Sequence, residues 1–249
     1  MERDGVVVLS PLEASRTLGL VAELGLAPTC AMLDPWYNKG AGGVRPDYRE
    51  FLDGLLAGAG AVADHVYLWG FPEIVAGQLE RLPAPLQLVS WLTWYYKNNP
   101  SVIRGWRSAQ MTCLHLSRPG ARLYPEHFLT PAQLEKKRAG KLRYLPGPPS
   151  VLEAPLLVGF VGRAERTGHP SQKPCQVFST LLRMVLGEGD IVVDPMCGSG
   201  TTGQAAREVG GKAILSDHDP RWVEVAARRL GVRPVALPGV PGFRGRPAG

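Results

Sequence analysis

Short apolar runs alternate with amphipathic stretches along most of this chain. Residues 30–33, 62–69, 86–95, 111–116, 191–194 and 213–217 form runs whose length and β-branched or aromatic content predict buried strands. Between them apolar residues return every three or four positions. Leu12, Leu18, Val21 and Leu24 predict a helix over 11–24, and Phe51, Leu52, Leu55 and Leu56 one over 47–56 with Asp47 as its cap. Further helices are predicted at 72–82, where Pro72 suits the first turn, and at 174–186, 201–209 and 220–230. Strands alternating with helices predict an α/β domain built on a doubly wound, mostly parallel sheet. The two strands that end in Asp-Pro, at Asp34 and Asp194, are expected side by side in its middle.

The rhythm breaks between 117 and 168, where prolines at 119, 125, 131, 146, 148, 149 and 155 punctuate one charged helical stretch near 130–140. A chain of 249 residues suits one α/β domain with a small insertion. Residues 1–116 and 169–232 are read as two halves of that domain and 117–168 as the insertion. The glycine-rich stretch 38–44 is a predicted loop, and the Pro-, Gly- and Arg-rich tail 233–249 is expected to be disordered.

Composition narrows the class without naming it. With 45% hydrophobic and 20% charged residues the chain reads as an ordinary soluble protein, and no apolar run approaches the roughly 18 residues of a membrane span. The start, Met1-Glu2-Arg3-Asp4, lacks the layout of a signal peptide, so a cytoplasmic protein is expected. Cys30, Cys113, Cys175 and Cys197 show neither metal-ligand spacing nor a disulfide framework. The net charge is +6, and between Arg118 and Arg166 nine basic residues face four acids. Nearly all the excess charge is therefore local, which suits a polyanionic partner, although a solvated loop face has the same composition.

The candidate chemistry lies at the two Asp-Pro strand ends. After Asp194, Gly198-Ser199-Gly200 between a strand and a helix lets backbone approach a ligand closely. Asp217, 17 residues beyond Gly200 at the next strand end, is placed to bind ribose hydroxyls. Gly198, Gly200 and Gly203 also fit a dinucleotide fingerprint, but an acid at Asp194 repels a pyrophosphate and attracts a cation. A ligand with adenine, ribose and cationic centres but no phosphate is S-adenosylmethionine. The bland alternatives are a helix cap for Asp194 and a tight turn for the glycines. Asp219 is expected to cap the last helix.

At the other strand end, Asp34-Pro35-Trp36-Tyr37 suits transfer to an exocyclic amine, a poor nucleophile whose lone pair is delocalised into its ring. The Asp34 carboxylate and the Pro35 carbonyl can accept its two hydrogens, and Tyr37 can stack on a base that has left its duplex. Plain core packing is the alternative for the two aromatics, stronger for Trp36 than for Tyr37.

These segments resemble amino-group DNA methyltransferases, in particular the permuted (beta) class. Asp34-Pro35-Trp36-Tyr37-Asn38 is similar to that family's Asp-Pro-Pro-Tyr motif, His169-Pro170-Ser171-Gln172-Lys173-Pro174 to the stretch before its cofactor helix, and 194–202 to its glycine motif. Residues 216–222 through Arg229-Leu230 resemble its ribose-acid segment, and Trp94 to Pro100 a Trp-x-x-Lys segment. The order, catalytic motif first and cofactor motif last, belongs to the same class. The resemblance implies a seven-stranded Rossmann-like sheet, S-adenosylmethionine as donor and a target-recognition segment where 117–168 falls. It implies double-stranded DNA as partner, a homodimer as a candidate assembly, and neither metal nor membrane. It assigns Asp34, Pro35 and Tyr37 to catalysis, and Asp194, Met196, Gly198, Ser199, Gly200, Thr201, Asp217 and Lys173 to the cofactor. The base and the DNA fall to Trp36, Asn38, Lys97, Arg118, Lys136, Lys137, Arg138, Lys141 and Arg143.

Trp36 departs from the family's second Pro, Met196 from its usual Phe, and Gln110 stands where Glu is expected. Adenine N6 is favoured over cytosine N4, because Asp in the first position is more typical of adenine enzymes. The rival readings are an RNA or small-molecule methyltransferase, a catalytically silent DNA-binding homologue, and a nicotinamide dehydrogenase. Pro174-Cys175-Gln176 looks like the nucleophile motif of cytosine-C5 enzymes, but it precedes the cofactor glycines and opens a helix, so Cys175 is read as a small buried residue, as is Cys197.

Overall fold

The computed structural model describes residues 5–38, 43–99, 102–103 and 105–236. In chain order the elements are β1 (Val6–Val8), α1 (Ala14–Glu23), β2 (Cys30–Leu33), α2 (Tyr48–Val62), β3 (His65–Gly70), α3 (Pro72–Val75), β4 (Gln87–Tyr95), β5 (Val102–Ile103) and β6 (Trp106–Arg107). They continue with β7 (Gln110–Ser117), α4 (Pro131–Arg138), β8 (Val151–Glu153), α5 (Cys175–Val185), β9 (Ile191–Asp194), α6 (Thr201–Glu208), β10 (Lys212–Leu215) and α7 (Pro220–Leu230).

One sheet carries the order β1-β10-β9-β2-β3-β7-β4-β8, and β5-β6 form a separate ribbon. Parallel pairing runs from β1 through β3, β7 is antiparallel to both its neighbours, and β8 is parallel to β4. The main sheet therefore has eight strands rather than seven, because the three-residue β8 adds an edge beyond β4. As expected, the two Asp-Pro strands are neighbours, with Cys30 opposite Val192 and Ala31 opposite Val193.

Alternate residues of the buried strands feed two cores. Cys30 and Met32 of β2 face the layer of α5, α6 and α7, while Ala31 and Leu33 face that of α1 and α2. This two-sided burial explains why β2 and β9 read as continuous apolar runs. It also fixes what projects from the sheet. The C-terminal ends of β2, β3, β9 and β10 point one way, and the antiparallel register puts Gln110 at the start of β7 beside Tyr95 at the end of β4, at that same end.

Several elements differ from the pattern reading. The helix expected over 47–56 runs to Val62, since Gly58 and Gly60 do not break it. A Cβ at Gly58 would lie 3.1 Å from Leu18 Cδ1, and one at Gly60 3.0 Å from Leu86 Cδ1, so these glycines let the helix sit close to its neighbours. Asp47 makes no side-chain cap and pairs with Arg45 instead. The helix predicted at 72–82 is α for one turn and then 3-10 over Ala76–Arg81.

Residues 117–168 are tied to the domain at several points. Tyr124 donates its backbone N–H to the Met184 carbonyl, His127 meets Arg183, and β8 joins the sheet. Val235 in the expected disordered tail bridges to Leu9, and the tail from 237 onward lies outside the described residues. No helix among the described residues is long and apolar enough to cross a membrane.

Candidate active site

Both Asp-Pro turns open into one cavity of about 770 Å³ at the C-terminal ends of β2 and β9. That is within the usual size of a small-molecule site and at the place where open α/β sheets bind ligands.

The cofactor side is a turn held from several directions. Asp194 is buried, and its oxygens accept from the Met196 amide at 3.0 Å and from the Thr202 hydroxyl. Burial lifts its carboxyl to about pH 7, against the pull of those two hydrogen bonds. The carboxylate therefore anchors the start of the turn as well as lining the cavity.

Gly198 and Gly200 have φ of +46° and +75°, values that disfavour other residues. The Gly198 amide donates to Asp217 Oδ2 at 2.9 Å, and a Cβ there would lie 2.8 Å from His169 Nε2. Arg229 of α7 reaches back to the Thr201 hydroxyl at 3.0 Å and the Ser199 carbonyl at 3.3 Å, and is balanced by Glu165 at 3.4 Å. Asp217 receives the Asp219 amide at 3.0 Å through its other oxygen, and Asp219 caps α7 as predicted.

The acceptor side is a compact polar cluster. Tyr37 donates its hydroxyl proton to Asp34 Oδ1 at 3.2 Å, and the Lys173 ammonium donates to Asp34 Oδ2 at 2.5 Å and to the Tyr37 oxygen at 2.6 Å. Lys173 is only 3% exposed and lies near the rings of Tyr37 and Trp69. Burial and the Asp34 charge hold the Tyr37 phenol neutral, its pKa well above the ordinary value. Lys173, expected at the cofactor, thus grips Asp34. Its carbonyl meanwhile accepts from Thr201 at 3.3 Å, so the residue spans both halves of the site.

Met196, Ser199, Thr201 and Trp36 also line the cavity, whereas Gly200 packs against α7. Trp36 turns its ring onto Tyr48 and Phe51, at 5.2 and 5.1 Å between centroids, and so packs against α2. Asn38 exchanges two hydrogen bonds with the backbone of Arg45 and closes the loop expected at 38–44, whose residues 39–42 lie outside the described ones.

Lys97 pairs with Glu153 at 2.6 Å near the cavity end of the sheet. Arg118 is at the opposite end, where it donates to the Gly60 and Ala61 carbonyls and serves the fold. Lys136, Lys137 and Arg138 are exposed in the last turn of α4, with exposed Lys141 and Arg143 beyond; none of the five lines the cavity. His169, Trp222, Glu165 and Arg229 were not assigned roles from the sequence. The first two meet edge to face at 4.3 Å beside the glycine turn. Cys175 is a buried free cysteine whose thiol donates to Glu208 at 3.3 Å, and burial raises it to about 12. No cluster of metal-ligating side chains occurs among the described residues.

Fold and cavity together define a Rossmann-like domain with a ligand-sized cavity at the strand ends. Residues 79–228 match the N6/N4 methyltransferase family model, described as DNA methylase. The chain belongs to that family. It is 28% identical over 146 residues to the type II methyltransferase M.HpaI of Haemophilus parainfluenzae, covering 57% of this chain and 44% of that one. It is 37% identical over 62 residues to M2.DpnII of Streptococcus pneumoniae, covering 25% of this chain and 23% of that one. The chain thus spans less than half the length of these curated relatives.

Among solved structures, M1.HpyAVI in complex with SAM superposes with a TM-score of 0.69 at 18% identity, covering 91% of this chain and all of that one. The cytosine-N4-specific PvuII DNA methyltransferase gives 0.62 at 15% identity, covering 91% and 88%. At these identities the likeness shows the shared fold.

Proposed function

We propose that this protein transfers a methyl group from S-adenosylmethionine to the exocyclic amine of a base flipped out of duplex DNA, adenine N6 before cytosine N4. The observation that carries this reading is the junction of the two Asp-Pro turns. One cavity holds an amine-accepting carboxylate and a glycine turn closed by a strand-end acid.

The residues present suit the cofactor. The glycine turn leaves no room for side chains between the backbone and His169, and Asp217 offers a carboxylate at the usual ribose position. Bound there, S-adenosylmethionine would supply an electrophilic methyl group for the amine nitrogen, with its sulfur as the leaving group. Met196, His169 and Trp222 provide apolar and aromatic walls, and Asp194 and Arg229 fix the turn. Asp34 and the Pro35 carbonyl accept the amine hydrogens and direct the nitrogen lone pair at the methyl group. Lys173 and Tyr37 hold the Asp34 carboxylate in place before the base arrives, so little reorganisation remains for the transfer step. The amine proton released after transfer passes by way of Asp34 to solvent.

The test is to map modified bases in DNA from cells expressing the protein. N6-methyladenine in a defined sequence context is the expected result, and N4-methylcytosine would reverse the base preference. Unmodified DNA from cells making folded, cofactor-binding protein would instead support the silent homologue. Asp34→Ala is expected to abolish the modification and leave cofactor affinity nearly unchanged.

A further inference from the structure

Two of the most exposed aromatic side chains stand on segments that spring from the cavity end of the sheet. Trp106, 82% exposed, lies on the β5–β6 ribbon between β4 and β7. The residues at the ribbon's root, Tyr95 and Gln110, pair in register at that end. The next residue, Met111, has its sulfur 3.2 Å from the Tyr37 hydroxyl, so the root of the ribbon touches the acceptor cluster. Phe160, 84% exposed with the Arg163 guanidinium 5.0 Å over its ring, follows β8, which runs parallel to β4 and ends at the same end.

The two segments are fastened to each other. Asn98 donates to the Leu156 carbonyl at 2.9 Å and accepts from the Leu156 amide at 2.8 Å, beside the Lys97–Glu153 pair. An indole is among the costliest side chains to leave in water, and this one is followed directly by Arg107. Neighbouring cations and exposed rings on segments that spring from the cavity end of the sheet suit a ligand that is both anionic and stacked.

We propose that Trp106 is the side chain that enters the base stack of duplex DNA as the target base leaves it for the cavity. This rests on the proposed function above and names the surface that serves it. Opening a duplex forfeits one base pair and two stacking contacts. An aromatic wedge restores stacking on the bases left behind, and the guanidinium of the adjacent Arg107 answers the phosphates. The position fits, because the ribbon is rooted on the residue that contacts Tyr37. The tether through Asn98 holds the Phe160 segment as a second support.

The test compares methyl incorporation from labelled S-adenosylmethionine into genomic DNA of a strain lacking DNA methyltransferases, offered as duplex or heat-denatured. Trp106→Ala is expected to lower incorporation into duplex by about 10-fold or more, while denatured DNA stays within about 2-fold of wild type. Leu88→Ala, removing a side chain 43% exposed at the end of the sheet opposite the cavity, is the control and is expected to change neither. Trp106→Ala equal to wild type on duplex, or equally impaired on both substrates, would overturn the proposal. A wild-type protein that methylates neither substrate would instead defeat the reading of function, so the two failures are distinguishable.

Discussion

At the scale of single residues, Lys173 separates what the sequence conveys from what the fold decides. Its motif points to the cofactor, but the helix it precedes aims its ammonium across the cavity at Asp34 and Tyr37. Nothing in a one-dimensional pattern encodes that direction, because the contact joins positions 139 apart. Lys173→Met is expected to leave Asp34 loosely held and to lower kcat by about 10-fold or more, since even a 1 Å misplacement of a reacting group costs up to about 100-fold. Cofactor affinity should change less than about 3-fold, measured by calorimetry beside single-turnover rates. A large loss of affinity with kcat intact would return Lys173 to the cofactor. Trp36 is the converse case, since its departure from the family's Pro and core packing as its alternative role were both plain in the sequence, while the rings it packs on were not. Its indole N–H is buried with no partner among the described residues, while its ring packs on Tyr48 and Phe51. Trp36→Phe keeps an aromatic ring and removes the orphan donor. It should therefore cost less than about 1 kcal/mol in a denaturant melt, despite the smaller ring.

At the scale of elements, the sequence was most legible where apolar runs are buried on both faces, and the bounds of β9 and α7 match the pattern reading. It was least legible at the edges. β1 and β8 have three residues each, too few to show a period, and they exist because a neighbouring strand offers them hydrogen bonds. The glycine turn was legible because strain selects glycine there. Gly200→Ala would force a side chain into positive φ, with its Cβ 3.0 Å from Ala226 Cβ and 3.2 Å from Ala226 Cα. A loss of about 2 kcal/mol in stability is expected, with weaker cofactor binding, both read by thermal shift with and without cofactor. The pairing of β3 with β7 hides a different device. His115 Nε2 lies 3.2 Å from His65 Nδ1, and His65 Nε2 lies 2.9 Å from the Arg122 carbonyl, a chain that closes with both rings neutral. Burial lowers both, His115 to about 3. A histidine depressed in the fold takes up its proton first in the unfolded chain. Its stabilising share is therefore present above about pH 6.5 and is lost as pH falls toward the folded value. Between pH 7 and 5 the wild type should lose about 2 kcal/mol relative to His115→Phe, measured by denaturant melts of both proteins at each pH.

At the scale of the whole molecule, the basic surplus noticed between 118 and 166 divides into parts with different work. The composition of the segment was legible and its geography was not, because the chain runs from one end of the sheet to the other within it. Arg118 lies at the far end from the cavity and closes the Gly60 and Ala61 carbonyls in the last turn of α2, whereas Lys136, Lys137 and Arg138 project from α4 into solvent. A cation held by carbonyls cannot release counterions from DNA, while an exposed cluster can, and the salt dependence of binding counts such contacts. The triple change Lys136→Ala, Lys137→Ala, Arg138→Ala should therefore reduce the slope of log affinity against log salt for duplex DNA by about 2 to 3 while leaving the melting temperature in place. Arg118→Ala should do the reverse, leaving the slope unchanged and lowering stability by about 1 kcal/mol as two carbonyls of the last helical turn lose their charged partner. Filter binding over a range of salt concentrations, with a melt of each variant, reads both quantities. If the triple variant keeps the wild-type slope, α4 does not face the duplex. The anionic partner must then be met by the cavity end alone, through Lys97, Arg107 and the Arg163–Phe160 pair.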